Sequence, residues 1–200
     1  IGGTFAVLLI SVPAKTMKKF FSVLKQAFNQ TEEDVTELIQ LFVRLSDKAR
    51  REGLLSLEAE VEQIDDPFIQ RGILLAVDGV ETDVIVDILS ADIAAMEERH
   101  RTNRSIFERA GQFAPAWGMI GTLIGLILML NELHDVETLG PKMATALITT
   151  LYGSLIANWI CLPTAAKLEE KTEQEVFLKQ IKIEGIIGVQ TGQNPKLLEE

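Results

Sequence analysis

A chain of 200 residues with a formal net charge of −10, 47% apolar side chains and a single cysteine excludes several classes at once. The acidic balance lacks the basic face that phosphate binding requires, so nucleic acid is not expected as a partner. Cys161 has no second cysteine to pair with and reads as a packing residue inside an apolar run.

The chain opens on IGGTFAVLLISVP, with no initial methionine and no secretory signal pattern. Ile1–Val12 is too short to cross a bilayer, which takes roughly 20 helical residues. It reads as the end of a membrane helix whose beginning precedes Ile1. Lys15, Lys18 and Lys19 follow Pro13, and basic residues of this kind flank the cytoplasmic end of a membrane helix. Lys15–Asn29 reads as an amphipathic helix with Phe20, Phe21, Leu24 and Phe28 on one side. Such a helix can lie in the membrane interface or pack as a core helix, and the pattern leaves both open.

Thr31 followed by Asp34 resembles a capping box with Asp in place of Glu. Val35, Leu38, Phe42 and Leu45 then mark one face of a helix that runs to about Glu52 and is broken by Gly53. Leu54–Ile64 predicts a further helix, ended by Asp65-Asp66-Pro67. Phe68–Val77 predicts another, closed by the Asp78-Gly79 turn. From Glu81 onward Ile85, Leu89, Ile93 and Met96 share a face, with no Pro or Gly before Gly111. One long helix rising into the membrane is expected there.

Two runs without a charged side chain follow, Gly111–Asn131 and Met143–Ala166, each long enough to span. The loop between them, Glu132–Lys142, is short and polar, which predicts an antiparallel membrane hairpin. It carries Glu132, Asp135 and Glu137 but no Lys or Arg before Lys142, whereas Lys167 and Lys171 follow the second run. This asymmetry puts 14–109 and 167–200 in the cytoplasm and the hairpin tip outside. Lys167–Lys182 continues the last helix, and the tail after Gly185, with Gly188, Gly192 and Pro195, is expected to be loosely structured. The fold class is all-α: a polytopic membrane protein whose long transmembrane helices extend into a helical cytoplasmic domain.

Signals of a soluble enzyme are missing. His100 and His134 have no partner at metal-ligand spacing, and there is neither a phosphate-binding glycine loop nor a nucleophile elbow. No enzyme activity, metal or cofactor is expected. The apolar runs carry more information. Ala146, Thr150, Ser154 and Asn158 recur every fourth residue, with Thr149, Gly153 and Ala157 beside them. Gly118 and Thr122, and Gly121 and Gly125, stand one turn apart in the first run. Such stripes serve close helix packing or line a polar path for a small cation, and the pattern allows either. Neither run holds an Asp, Glu, Lys, Arg or His, so an ion path here needs a carboxylate from another chain. Pro115 and Pro163 are each near the cytoplasmic end of a run, which suggests a flexing point at matched depth. On the cytoplasmic side KARREGLLSLEAEVE gathers Arg50, Arg51, Glu58, Glu60 and Glu62, either a solvated surface or an electrostatic docking face.

Several of these pieces together resemble the flagellar stator A subunits, the MotA/PomA family, with a more distant likeness to ExbB and TolQ. They are IGGTF at the start, ARREGLLSLE at 49–58, DGVETDVI at 78–85, APAWGMIGTLIGL at 114–126, LGPKMATALITTLYGSLIAN at 139–158 and GQNP at 192–195. The resemblance implies a pentameric ring of A subunits around a dimer of a MotB/PomB-like B subunit. That partner would bring the membrane aspartate and anchor to peptidoglycan. It further implies that Arg50, Arg51 and Glu58 engage the rotor protein FliG, that Thr122 and Thr150 face the ion path, and that Pro115 and Pro163 couple ion passage to movement. The setting would be the bacterial inner membrane, with lipid around the helices and H+ or Na+ as the transported ion. Thr122 looks more like the sodium-type members than many proton-type ones, where Ala is common, and this leans slightly to sodium. The alternatives are an ExbB/TolQ-type energiser of outer-membrane processes and a structural scaffold with no ion path.

Overall fold

The computed structural model describes residues 2–29, 34–131 and 136–193. Every regular element among the described residues is helical: α1 Gly2–Ser11, α2 Ala14–Met17, α3 Phe20–Phe28, α4 Val35–Glu52, a 3-10 turn Leu54–Leu57, α5 Glu58–Val61, α6 Pro67–Val77, α7 Thr82–Leu130, α8 Val136–Leu155, a π turn Ile156–Cys161 and α9 Leu162–Thr191. Thr31 and His134 lie outside the described residues.

Two compact units divide the chain. The first takes the described residues up to Asn29 together with Arg99–Lys171, and the second takes Gln30–Glu98 and the chain from Thr172. Residues 14–29 and 99–109 thus group with the apolar runs.

In the first unit, the windows of Thr82–Leu130 and Glu137–Thr191 that are apolar enough to cross a membrane are only 11% and 22% buried within the chain. The core helix of a soluble protein would be mostly covered. Here Met119, Leu123, Ile127 and Leu128 on α7, and Leu147 and Leu151 on α8, stay exposed, as lipid-facing side chains do. α1 ends where Ser11 turns its hydroxyl back onto the Val7 carbonyl, and Arg109 of α7 donates to the Ser11 carbonyl. Leu8 and Val12 pack against Ile106, Ala110 and Cys161. The amphipathic segment is two pieces, α2 and α3, divided at Lys18–Lys19. Its inner face is Val23 and Ala27 with Phe20 and Leu24, where Val23 joins Phe107 and Ala165 and the Phe20 and Phe107 rings stack at 4.9 Å. Phe21 and Phe28, expected on that same face, are 80% and 70% exposed. At 100° per residue both sit about a quarter-turn away from the buried stripe.

The hairpin loop is shorter than expected. α8 begins at Val136 and carries Pro141 within its second turn. Pro163 is preceded by a π turn, Ile156–Cys161, a one-residue insertion in the helix. Pro115 leaves α7 continuous.

In the second unit, α4, the 3-10 turn, α5, α6, the N-terminal part of α7 and the C-terminal part of α9 share one core. Leu38, Phe42, Leu45 and Ala49 come from α4, Ile69, Ile73 and Ala76 from α6, Ile85, Leu89 and Ile93 from α7, and Ile183, Ile186 and Val189 from α9. The periodic faces read from the sequence are therefore the buried ones. Asp34 itself caps α4, accepting from the Thr36 N–H at 2.8 Å, so the capping role expected of Thr31 belongs to Asp34. Leu54–Ile64 is a 3-10 turn and one turn of α-helix rather than one helix. Asp66 does not end that segment but opens α6, accepting from the Phe68 N–H at 2.8 Å with Pro67 in the first turn.

As far as Thr191 the tail after Gly185 is not loose, while Pro195 lies outside the described residues. α9 continues to Thr191 with Ile186 and Val189 fully buried. A Cβ on Gly185 would sit 2.5 Å from the Phe42 ring, so glycine here admits an aromatic against the helix backbone. Glycine in this tail reads as a breaker in isolation, yet it is packing that requires it.

Lys182, 5% exposed, donates to the Asp66 carboxylate at 2.6 Å and joins α9 to the head of α6. Burial pushes the Asp66 carboxyl up, but the Lys182 ammonium and the Phe68 and Ile69 N–H groups outweigh it and hold the group below the usual carboxylate range. A carboxylate with a depressed folded value contributes stability that is complete above its unfolded value and is lost as pH falls through the folded one. Asp66→Ala removes both cap and charge and is expected to cost about 2–4 kcal/mol. Asp66→Asn keeps the cap and should cost less. Melting of the detergent-solubilised protein checks both, and the gap between wild type and Asp66→Asn should close below about pH 4.

Candidate functional site: a hydroxyl cluster between two apolar helices

α7 and α8 touch along residues without bulk. A Cβ on Gly125 would lie 2.6 Å from the Ala146 Cβ, and one on Gly121 would meet the Thr149 side chain at 2.9 Å. One on Gly118 would lie 3.0 Å from the Thr150 Cα, and one on Gly153 only 2.5 Å from the Ala114 carbonyl oxygen. In lipid there is no hydrophobic drive to bring helices together, so small residues that admit backbone contact supply the packing. Gly3 plays the same part for α1, where the Trp117 ring occupies the space a Cβ would need.

That contact brings together three hydroxyls. Thr122 Oγ1 lies 2.5 Å from Thr150 Oγ1 and 3.4 Å from Thr149 Oγ1. It can donate to the Ala146 carbonyl at 2.9 Å or the Gly118 carbonyl at 3.2 Å. Thr149 Oγ1 can donate to the Ala146 carbonyl at 2.7 Å or the Gly118 carbonyl at 3.1 Å. Three hydroxyls and two carbonyls thus form a compact set of neutral oxygens, half-buried within the chain. Thr122 and Thr150, singled out from the sequence, are neighbours here. Thr149 is an equal member that the site reading passed over. The Thr149-Thr150 pair opposite Gly118 and Gly121 was the available signal, because a gap of two small residues admits two side chains.

Of the four-residue stripe, Ala146 is buried and Thr150 sits in the cluster, while Asn158 is exposed and donates to its own Ser154 carbonyl at 2.9 Å. A spacing of four drifts about 40° per step on a 3.6-residue helix, so the stripe rotates away from α7 within three steps. The other stripe, Thr149, Gly153 and Ala157, keeps to the contact through Gly153.

The prolines are not at matched depth. Gly111 faces Cys161 and Leu162, and Gly118 faces Thr150 and Gly153. Pro115 lies between those levels and so opposes the stretch around the π turn, one to two helical turns from Pro163. Reading depth from distance to the nearest charge misplaces them, because the π turn and the actual helix contact set the register.

The charged residues belong to the second unit. Arg50 and Arg51 are in the last turn of α4 and Glu58 is the first residue of α5, and all three are exposed. Gly53, at φ 88°, reverses the chain between them, and Ser56 donates to its carbonyl at 2.6 Å. Lys48 donates to Glu60 at 2.7 Å across this corner. The hydrogen bond to Lys48 lowers the Glu60 carboxyl, and the hydrogen bond to Glu60 raises the Lys48 ammonium. No cluster of His, Cys, Asp and Glu able to hold a metal occurs among the described residues.

Two helices able to cross a membrane, closed on glycines around a hydroxyl cluster, define a helical membrane protein. A sequence profile of the MotA/TolQ/ExbB proton channel family matches residues 60–180. The chain is 58% identical to the uncharacterized protein YtxD of Bacillus subtilis, covering 99% of this chain and 73% of that one. It is 42% identical to motility protein A of Borreliella burgdorferi, with 99% and 76% covered. It is 40% identical to the chemotaxis protein PomA of Vibrio alginolyticus, with 100% and 78% covered. Among solved structures it matches the flagellar MotAB stator complex from Bacillus subtilis at a TM-score of 0.92 and 38% identity, covering 100% of this chain and 78% of that one. The chain belongs to the MotA/TolQ/ExbB proton channel family, as a flagellar stator A subunit of the MotA/PomA type.

Gly153→Ala should force α8 off the Ala114 carbonyl and cost about 1–3 kcal/mol. Gly140→Ala, where a Cβ meets nothing within 4 Å, should be neutral or slightly stabilising. Thermal unfolding of the two variants in detergent separates close packing from helix propensity.

Proposed function

We propose that five copies of this chain form a ring around a B-subunit dimer in the inner membrane, with residues 14–109 and 167–200 on the cytoplasmic side. The ring converts cation flow into rotation. The observation that carries this reading is the Thr122–Thr149–Thr150 cluster, a set of oxygens in two apolar runs that hold no Asp, Glu, Lys, Arg or His. A cation needs a counter-charge at membrane depth. The B subunit's membrane aspartate supplies it, opposite the hydroxyls. A cation that neutralises that aspartate changes its attraction to the ring, and the ring steps. The electrical part of the drive is about 2.3 kcal/mol per charge per 100 mV. Pro115 and the Pro163 π turn let the helices flex during the step. Arg50, Arg51 and Glu58 pass the movement to FliG as an electrostatic docking face, which registers a partner more than it adds affinity.

Sodium is the coupling ion that the cluster favours. Neutral hydroxyl and carbonyl oxygens ligate a metal cation but do not hold an excess proton near neutral pH.

The test is swimming speed of a stator-less flagellated strain expressing the chain with its B subunit, across a sodium series at constant pH. Speed should climb with sodium. Speed indifferent to sodium returns the coupling ion to the proton. Thr150→Val and Thr149→Val should each abolish swimming while the ring still assembles, whereas swimming at the wild-type rate in both would remove the cluster from the ion path.

Arg50→Glu and Glu58→Lys, each at an exposed side chain, should lower torque on tethered cells while the purified ring keeps its size. Loss of the ring in either variant would make these residues structural.

A further inference from the structure

The outer edge of α3 is unused by everything described so far. The helix is fixed from behind by Val23, Ala27 and the Phe20–Phe107 stack. Its C-terminal end is held by Lys171, which donates to the Gln26 carbonyl at 2.8 Å and also to the Asn29 carbonyl. Lys167 stands 5.2 Å over the Phe28 ring. A helix so anchored still leaves Phe21 and Phe28 80% and 70% exposed. They are seven residues apart and therefore lie on one stripe. Lys18 and Lys25, also exposed, follow that stripe about 50° further around the helix, with Lys19 exposed at its head. Residues 2–29 contain four lysines and no Asp or Glu, in a chain of net charge −10. The segment is thus a basic, aromatic strip on an acidic protein, in the unit that carries the apolar spans.

We propose that α3 is a binding strip for acidic phospholipids: Phe21 and Phe28 enter the acyl boundary while Lys18, Lys19 and Lys25 hold anionic headgroups. Exposed aromatics bind any bilayer, whereas lysines beside them discriminate by headgroup charge. Two further lysines, Lys167 and Lys171, tie the strip to the start of α9, so occupancy by acidic lipid bears on the helix that carries Pro163. The inference requires the chain to be in a membrane and is independent of the coupling ion.

The experiment uses the full chain with Cys161→Ala, reconstituted in vesicles of phosphatidylcholine and phosphatidylglycerol. An environment-sensitive fluorophore is attached to F21C, F28C or Q26C, and one lipid at a time carries brominated acyl chains. F21C and F28C should emit in the blue and be quenched several-fold more by brominated phosphatidylglycerol than by brominated phosphatidylcholine. Q26C, exposed and about 150° around the helix from both rings, should show neither. K18Q, K19Q and K25Q should each lower that preference, and together erase it without lowering the melting temperature. Equal quenching by the two lipids would overturn the headgroup selectivity. Blue emission without quenching would mean that another copy of the chain covers the strip, and water-like emission would mean that nothing does; either result overturns the proposal.

Discussion

A close backbone approach in the first unit is the one on which its site depends. Gly153 rests against the Ala114 carbonyl, and Gly118, Gly121 and Gly125 continue the contact along α7. Water does not drive these helices together, because lipid covers Leu123 or Leu151 as well as another helix would. What holds them is dispersion between backbones at short range, available only where no Cβ intervenes. The same closeness lets Thr122 reach the Ala146 carbonyl on the other helix. Without the glycines the hydroxyls would be separate side chains on two helices, each bonded back to its own backbone.

The second unit follows the opposite physics. Its core is ordinary burial of Phe42, Ile73, Leu89 and Ile186 against one another, from helices far apart in sequence. The Lys182–Asp66 pair sits at the edge of that core and is partly withdrawn from water, so it fixes register more than it adds strength. Glycine appears here too, at Gly72 against Ile186 and Gly185 against Phe42, but as a means of seating a large side chain. One residue type thus serves two solvents by two mechanisms.

The charges follow that division. The apolar runs carry neutral oxygens alone, and the exposed Arg50, Arg51 and Glu58 stand on a corner shaped by Gly53 and braced by Lys48–Glu60. The α3 strip is the exception, where exposed basic and aromatic side chains occur together in the unit that carries the apolar runs.

Sequence by itself determined the helical class, the two apolar spans, the helix from Glu81 into the first span and the buried faces of α4 and α7. Those features are periodic, and periodicity of 3.6 is a local property. It also marked Thr122 and Thr150, because hydroxyls in uncharged runs stand out. Tertiary structure alone decided the rest. That Thr149 joins the cluster and Asn158 does not depends on which face of α8 meets α7. The offset of Pro115 from Pro163 depends on a π turn, which no residue type announces. The ordered end of α9 depends on Phe42, distant in sequence, needing the space at Gly185. Phe21 and Phe28 read as one side with Phe20 and Leu24, facing either interface or core, because amphipathic patterns count apolar residues without saying what covers them. Only the neighbours of α3, already filled by Val23 and Ala27, left those two rings outside.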